Sequence, residues 1–309
     1  MNNNRMLRIC VGASRKAMIW SESIISWAEF MEKLKTPVRS TETYEEYLKL
    51  PKSRQDDLKD VGGYVGGGLA GGRRKAVCVT GRDLVTLDLD NIPAGGTEDV
   101  LRRVDGLGCA ALVYSTRKHS AYAPRLRVVI PTDRTATADE YEPAARKIAQ
   151  LIGIEFCDPT TFEASRLMYW GSCCSDSSYV YRVYDKPFCS LDGVLQKYRI
   201  WQDVQEWPQV PGTDAIERRR LAKQEDPTGK PGIIGAFCRT YSVTEAMEKF
   251  IPGMYEETAT AGRYTYTGGS TVGGAVVYDG DKFLFSHHAT DPCSGLLVNA
   301  FDLIRLHMY

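Results

Sequence analysis

Leu84-Val85-Thr86-Leu87-Asp88-Leu89-Asp90 is the stretch from which the rest of the chain is read. Its period-2 alternation predicts a β-strand with Thr86, Asp88 and Asp90 on one face and Val85, Leu87 and Leu89 on the other. Two carboxylates then leave a sheet side by side at a strand end. Hard divalent cations such as Mg²⁺ or Mn²⁺ take oxygen ligands of this kind and keep positions open for water and phosphate. A plainer reading makes Asp90-Asn91-Ile92-Pro93 a turn after a buried strand, since Asp and Asn favour turns through local hydrogen bonds. The neighbouring segments decide between the two.

Working outward, strands and helices alternate. Ala76 to Thr80, Cys109 to Ser115, Leu126 to Ile130 and Ser165 to Trp170 read as strands, and Thr97 to Val104 as a helix. Ala138 to Leu151 reads as a helix with Thr137 as N-cap and Gly153 just past its end. Upstream, Ser21 to Lys35 carries apolar residues at helical spacing until Pro37, and Thr43 to Leu50 is a second short helix. The sum is α+β, a mixed sheet with helices packed on it. Between these parts, Val61 to Gly72 is dense in glycine and is followed by Arg73, Arg74 and Lys75. A backbone open to a nucleic-acid strand or phosphate, with the basic trio beside it, is one reading. A flexible hairpin is the preferred one, because no Walker-type G-K-[ST] or G-x-G-x-x-G frame fits.

Three further segments line up after the paired aspartates. Tyr114-Ser115-Thr116-Arg117-Lys118-His119-Ser120 places one of only four histidines in a polar loop at a strand end. Pro124 to Pro131 alternates so that Arg125 and Arg127 share a face, a donor pair suited to polyphosphate or, more plainly, a solvated edge. Phe156 to Trp170 then brings Asp158 and Arg166 back towards the pair, although Asp158-Pro159-Thr160-Thr161 is also an Asx-type turn.

In this order and spacing the chain resembles the archaeo-eukaryotic primase superfamily, the primase-polymerases. More narrowly, Tyr114 to Pro131 and Asp158 to Tyr169 resemble phage and prophage primases fused to helicases of the virulence-associated E type. The resemblance implies an RRM-like catalytic core and primer synthesis on single-stranded DNA from NTP or dNTP. It implies that Asp88, Asp90 and Asp158 hold two divalent ions, Mg²⁺ or Mn²⁺, and that His119 contacts the incoming phosphates. Ser115 and Lys118 belong to the same nucleotide-binding loop, and Arg125, Arg127 and Arg166 are candidates for the triphosphate by position. Arg73, Arg74 and Lys75 are candidate DNA contacts. One departure stands out: the family pattern is small-x-His, whereas position 117 is Arg, with Ser115 two residues further upstream.

The whole chain fits this frame. Its 309 residues allow two domains. They are expected as a catalytic domain over 1–200, a linker over 201–232 rich in proline and carrying Glu217-Arg218-Arg219-Arg220, and a small α+β accessory unit over 233–309. Composition is that of a globular protein, with 43% hydrophobic and 25% charged residues. With 39 basic and 39 acidic residues the chain is no basic coat protein; residues 226–309 hold 6 and 9 of them, leaving 33 and 30 in front. No apolar run approaches the roughly 20 residues of a membrane span and no leader is evident, so a cytoplasmic location is expected. Ile304 to Tyr309 ends in mid-pattern, and the natural protein is expected to continue, with a helicase fused or associated. The nine cysteines lack any C-x-x-C pair and read as reduced thiols.

In the C-terminal unit a helix is expected over Thr244 to Phe250, strands near Arg263 to Thr267, Gly274 to Tyr278 and Lys282 to Phe285, and a terminal helix over Asn299 to His307. Phe285 to Cys293 carries His287 and His288. Zinc on His287, His288 and Cys293, with Cys238 or His307, lacks a recognised finger spacing and is not the expectation. A His-pair nicking endonuclease would need both histidines on one strand face, which adjacent residues do not share. The other alternative is a non-catalytic single-stranded DNA-binding module.

Overall fold

A computed structural model of the chain describes residues 5–213, 219 and 221–309. Contacts divide it into two compact units, Met1–Lys197 and Tyr198–Tyr309. In chain order the first unit holds β1 (Leu7–Gly12), β2 (Ser21–Ile25), α1 (Trp27–Lys35), β3 (Val38–Arg39), α2 (Tyr44–Lys49) and α3 (Lys52–Leu58). Next come β4 (Gly63–Val65), β5 (Gly67–Leu69), β6 (Val79–Leu89), α4 (Thr97–Asp105), β7 (Ala111–Ser115), β8 (Leu126–Ala136) and α5 (Ala138–Ile152). It closes with β9 (Met168–Tyr169), β10 (Ser172–Cys173), β11 (Tyr181–Tyr184) and α6 (Leu191–Leu195).

The α+β class holds. A five-stranded sheet in the order β11-β7-β8-β6-β5 carries the central strands, and a four-stranded sheet runs β2-β1-β4-β9. Every named pairing in these two sheets is antiparallel; β3 and β10 form a separate parallel pair. Leu7 and Ile9 of β1, Phe30 and Leu34 of α1, Tyr64 of β4, Leu84 of β6, Leu112 of β7 and Val129 of β8 meet in one fully buried cluster. Packing between the sheets and α1 therefore fixes where β6 ends. On α5, Thr137 caps the start and Gly153 follows the end at φ 126°, as the sequence predicts, and Glu140 completes a reciprocal capping box with Thr137.

Several expected elements change. The helix expected over Ser21 to Lys35 starts only at Trp27: Ser26 and Glu29 make a capping box, and Ser21 to Ile25 pairs with β1. Ala76 to Cys78 is a 3₁₀ turn rather than a strand. Ser165 to Trp170 shrinks to β9, and the helix expected over Ser190 to Trp201 to α6. The inner strand β1 and the edge strand β11 complete the sheets without having been read from the sequence.

The glycine-rich stretch is not a flexible hairpin. Its two halves, β4 and β5, are buried and join different sheets. A Cβ on Gly63 would lie 2.5 Å from the Met168 carbonyl oxygen, and one on Gly67 2.0 Å from that of Gly81. These glycines let neighbouring strands close up. Gly67→Ala is therefore expected to destabilise the first unit by about 3 kcal/mol, because a backbone oxygen cannot step aside. Urea denaturation measures it, and a wild-type midpoint would contradict this packing.

In the second unit lie α7 (Gly232–Thr240), α8 (Val243–Phe250) and a five-stranded antiparallel sheet, β12 to β16, in sequence order. The strands are β12 (Tyr255–Glu257), β13 (Arg263–Tyr266), β14 (Ala275–Tyr278), β15 (Phe283–Ser286) and β16 (Leu297–Val298), followed by α9 (Ala300–Met308). Val243, Met247, Leu284, Leu303 and Ile304 form its core. Tyr198, Val204 and Trp207 pack together, and Asp203 bridges to Val272, so the front of the stretch read as a linker belongs to this unit. Positions 214–218 and 220, with Glu217, Arg218 and Arg220 of the expected basic run, lie outside the described residues.

Candidate active site

Antiparallel pairing of β6 with β8 sets the site. Its register puts Asp88 opposite Arg127 and Leu89 opposite Leu126, so the acidic end of one strand meets the basic start of the other. Asp88 pairs with Arg127 at 3.3 Å, and just past the strand end Asp90 pairs with Arg125 at 2.8 Å. On the other flank of β6 the chain returns through an isolated bridge between Leu89 and Cys157. There the Asp158 N–H donates to the Asp88 carbonyl at 2.9 Å, and the Asp88 N–H donates to Thr161 Oγ1 at 2.8 Å. Asp158 Oδ1 accepts from the Thr160 N–H and hydroxyl, so the expected turn is real. Its Oδ2 pairs with Arg166 at 3.2 Å. Turn and carboxylate placement are one structure, because the cap fixes the side chain beside β6.

Asp88, Asp90 and Asp158 thus converge, each with its own arginine, on a cavity of about 540 Å³. Burial, with the Asp88 carboxylate next, pushes the Asp90 carboxyl above its ordinary range against the pull of Arg125. Asp88 Oδ1 is buried and accepts no hydrogen bond among the described residues. An orphaned carboxylate oxygen among three hard oxygen donors fits a divalent cation.

Arg127 is held from behind. Its guanidinium lies 5.9 Å from the Tyr114 ring and 5.7 Å from that of Tyr169, and it donates to the Tyr169 carbonyl at 3.1 Å. Tyr114 donates to the same carbonyl, and its hydroxyl meets that of Tyr64.

The histidine loop differs from its reading. Arg117, the departure from the small-x-His pattern, is tethered to Glu42 and Ser40 and lies 4.8 Å over the Tyr47 ring. Its guanidinium therefore anchors the loop to the segment before α2. His119 is 6% exposed and is not among the cavity-lining residues. Its Nδ1 accepts the Arg125 N–H at 3.1 Å, which requires that nitrogen unprotonated, and burial pushes its pKa down. Ser115 is also buried: its hydroxyl accepts the Val180 N–H, so it closes the β7 end instead of facing the cavity. Lys118 does line the cavity, its pKa pushed down by burial and then by Lys52, Arg125 and Lys59. Of the basic trio only Arg74 reaches the wall, its guanidinium 5.4 Å over the Trp20 ring, while Arg73 and Lys75 are exposed.

Sequence reading missed one wall altogether. Arg15 and Lys16 beyond β1, Lys52 at the start of α3 and Lys59 just past its end line the same cavity. The last two stand seven residues apart and share Asp56, each at 3.0 Å. That spacing, two helical turns, was the available signal.

In the second unit the histidines and cysteines weighed for zinc do not come together as one set; of them Cys293 and His307 lie close, beside Asp291. His288 is fully buried, its Nε2 accepting from the Tyr266 and Gly274 N–H groups and its Nδ1 bonded to Thr271. Cys238 bonds instead to Asn299. All nine cysteines are free.

The sequence profile of the VapE N-terminal domain matches residues 1–210, and the chain belongs to this family. Among solved structures, the archaeo-eukaryotic primase domain of the cyanophage S-2L primase-polymerase is similar at 12% identity and a TM-score of 0.34. The match covers 62% of this chain and 88% of that one. No curated protein matches. Among the described residues no helix is long and apolar enough to cross a membrane.

Proposed function

We propose that the chain is a primase-polymerase that transfers nucleotides from NTP or dNTP onto a primer or initiating nucleotide on single-stranded DNA, in phage or prophage replication. One observation carries the reading: three aspartates from two distant segments converge on one cavity, each beside an arginine, with a second basic wall in the same cavity. Asp88, Asp90 and Asp158 would hold Mg²⁺ or Mn²⁺, which when bound acidify the attacking 3′-hydroxyl and neutralise the leaving pyrophosphate. Arg125, Arg127 and Arg166 would orient the triphosphate and offset its charge. Lys118 faces the same space, and Arg15, Lys16, Lys52 and Lys59 would follow a nucleic-acid backbone. His119 acts one step back, through the Arg125 N–H that it accepts. A helicase is the partner expected, and the cytoplasm of the bacterial host the place.

The raised Asp90 carboxyl gives a pH signature. A proton competes with the cation at Asp90 at a higher pH than at an ordinary aspartate, so Mn²⁺ affinity is expected to fall as the pH is lowered from neutrality into the mildly acidic range. The metal-free fold responds oppositely: a carboxyl raised on folding is favoured neutral, so its contribution is present at low pH and lost as pH rises through the folded value. Mn²⁺ titrations followed by electron paramagnetic resonance read the first effect. An affinity independent of pH over that range would contradict it.

Incubating the protein with labelled single-stranded DNA, Mn²⁺ and nucleotides separates the three readings. Extended products support nucleotidyl transfer. Binding without products would support a silent DNA-binding module, and cleaved or covalently attached DNA a nicking endonuclease. The buried, fully engaged ring of His288 speaks against the last.

A further inference from the structure

Asp291, Cys293 and His307 bring their ligand atoms within 4.8 Å of one another in the second unit. We propose that these three side chains, with the Tyr255 hydroxyl as fourth donor, form a structural zinc site. The inference does not rest on the proposed polymerase chemistry.

The donors come from separate places. Asp291 and Cys293 flank Pro292 in the loop between β15 and β16, His307 is in the last turn of α9, and Tyr255 opens β12. Folding makes the cluster, which is why no finger spacing marks it in the sequence. Its dimensions suit a tetrahedron. His307 Nε2 is 3.3 Å from an Asp291 oxygen, and the Tyr255 hydroxyl is 2.8 Å from Asp291 Oδ2 and 2.8 Å from His307 Nε2. Ligands about 2.0 to 2.3 Å from a tetrahedral zinc stand roughly 3.3 to 3.8 Å apart, so the Tyr255 hydroxyl must draw back by about half to one ångström from Asp291 and His307, while Cys293 Sγ lies within 4.8 Å of both.

Charge and burial point the same way. Asp291 and Cys293 are wholly buried, and the His307 side chain is 2% exposed. Asp291 accepts from the Cys293 N–H and the Tyr255 hydroxyl and faces His307, but no lysine or arginine among the described residues pairs with it, and a buried carboxylate without a fixed positive charge beside it is costly. Zn²⁺ set against the Asp291 carboxylate and a Cys293 thiolate, with neutral His307 and Tyr255, has zero net charge. On binding, the Cys293 thiol proton leaves to solvent as the zinc–sulfur bond forms; His307 gives its Nε2 lone pair and Tyr255 stays protonated. Thiolate, imidazole and oxygen together suit zinc and not Mg²⁺, and four protein donors with no open position mark a structural clip. The clip ties the end of α9 to the β15–β16 loop and to β12. The competing account is a protonated His307 paired with Asp291 and no metal.

Metal analysis of the full chain, dialysed against metal-free buffer, is expected to find about one zinc per chain, and exchange with Co²⁺ to give a thiolate-to-cobalt charge-transfer absorption. Cys293→Ser is expected to reduce bound zinc at least ~10-fold and to abolish that absorption. Asp88→Asn with Asp90→Asn, in the other unit, is expected to keep both. Folded wild-type protein that holds no zinc and gives no such absorption would overturn the site, as would zinc retained by Cys293→Ser. Should Cys293→Ser not fold, His307→Gln carries the same comparison, and the wild-type cobalt spectrum stands as the independent reading.

Discussion

Asp88→Asn combined with Asp90→Asn is expected to lower nucleotide incorporation by about 10³-fold or more, the loss of several kcal/mol of transition-state charge stabilisation. Both substitutions keep shape and remove anionic ligands. Asparagine is the informative choice because Asp88 is the ion-pair partner of Arg127, whose side chain is only 10% exposed. Alanine at 88 would leave that guanidinium without its carboxylate, at a cost of about 3 to 5 kcal/mol, and loss of activity would then be confounded with loss of fold. The amide oxygen that Asp88→Asn leaves in place can still accept from Arg127. A melting curve close to wild type beside absent incorporation is the expected pair of results. Wild-type incorporation by the folded double variant would remove the aspartates from the chemistry.

Arg82→Ala is expected to destabilise the first unit by about 3 to 4 kcal/mol and to lower its melting temperature by roughly 10 °C. Arg82 is 1% exposed and has no carboxylate partner among its hydrogen bonds. It donates to the Ala164 and Leu84 carbonyls, to Thr86 Oγ1 at 3.0 Å and to the Tyr141 hydroxyl at 3.1 Å, with its guanidinium 4.0 Å over the Tyr141 ring. Burial pushes its pKa down, the mark of a cation taken from water. Truncation leaves a cavity and strands the Ala164 carbonyl, while Thr86 and Tyr141 keep each other. Ala164 lies between Asp158 and Arg166, so the same change is expected to loosen the third aspartate and to lower incorporation more than stability alone explains. An unshifted melting temperature would show that Arg82 is dispensable to the packing of β6.

The site was more legible than the sheets that carry it. Alternation in Leu84 to Asp90 and in Arg125 to Arg127 places side chains by backbone geometry alone, and the structure keeps those faces together in one cavity. The α5 caps were equally local: Thr137, Glu140 and Gly153 act within a few residues of themselves. What failed depended on distant partners. Glycine permits both a loose hairpin and the closest strand packing, and only the approach of Gly81 and Met168 decides between them. Ser21 to Ile25 takes its conformation from β1. Ser115 was expected at the nucleotide but closes a strand end on Val180, and Arg117 is drawn to Glu42 by an ion pair spanning the first unit. Lys52 and Lys59 stand at the two ends of a helix whose destination the sequence does not reveal.

The cavity around Asp88, Asp90 and Asp158 is proposed to perform template-directed nucleotidyl transfer. Single-stranded templates of one base, changed from all-thymine to all-cytosine with Mn²⁺ and the four nucleotides present, test it most directly. The expected products switch from adenine to guanine with the template and vanish when Mn²⁺ is chelated. Products of unchanged composition, or none from folded wild-type protein, would contradict it.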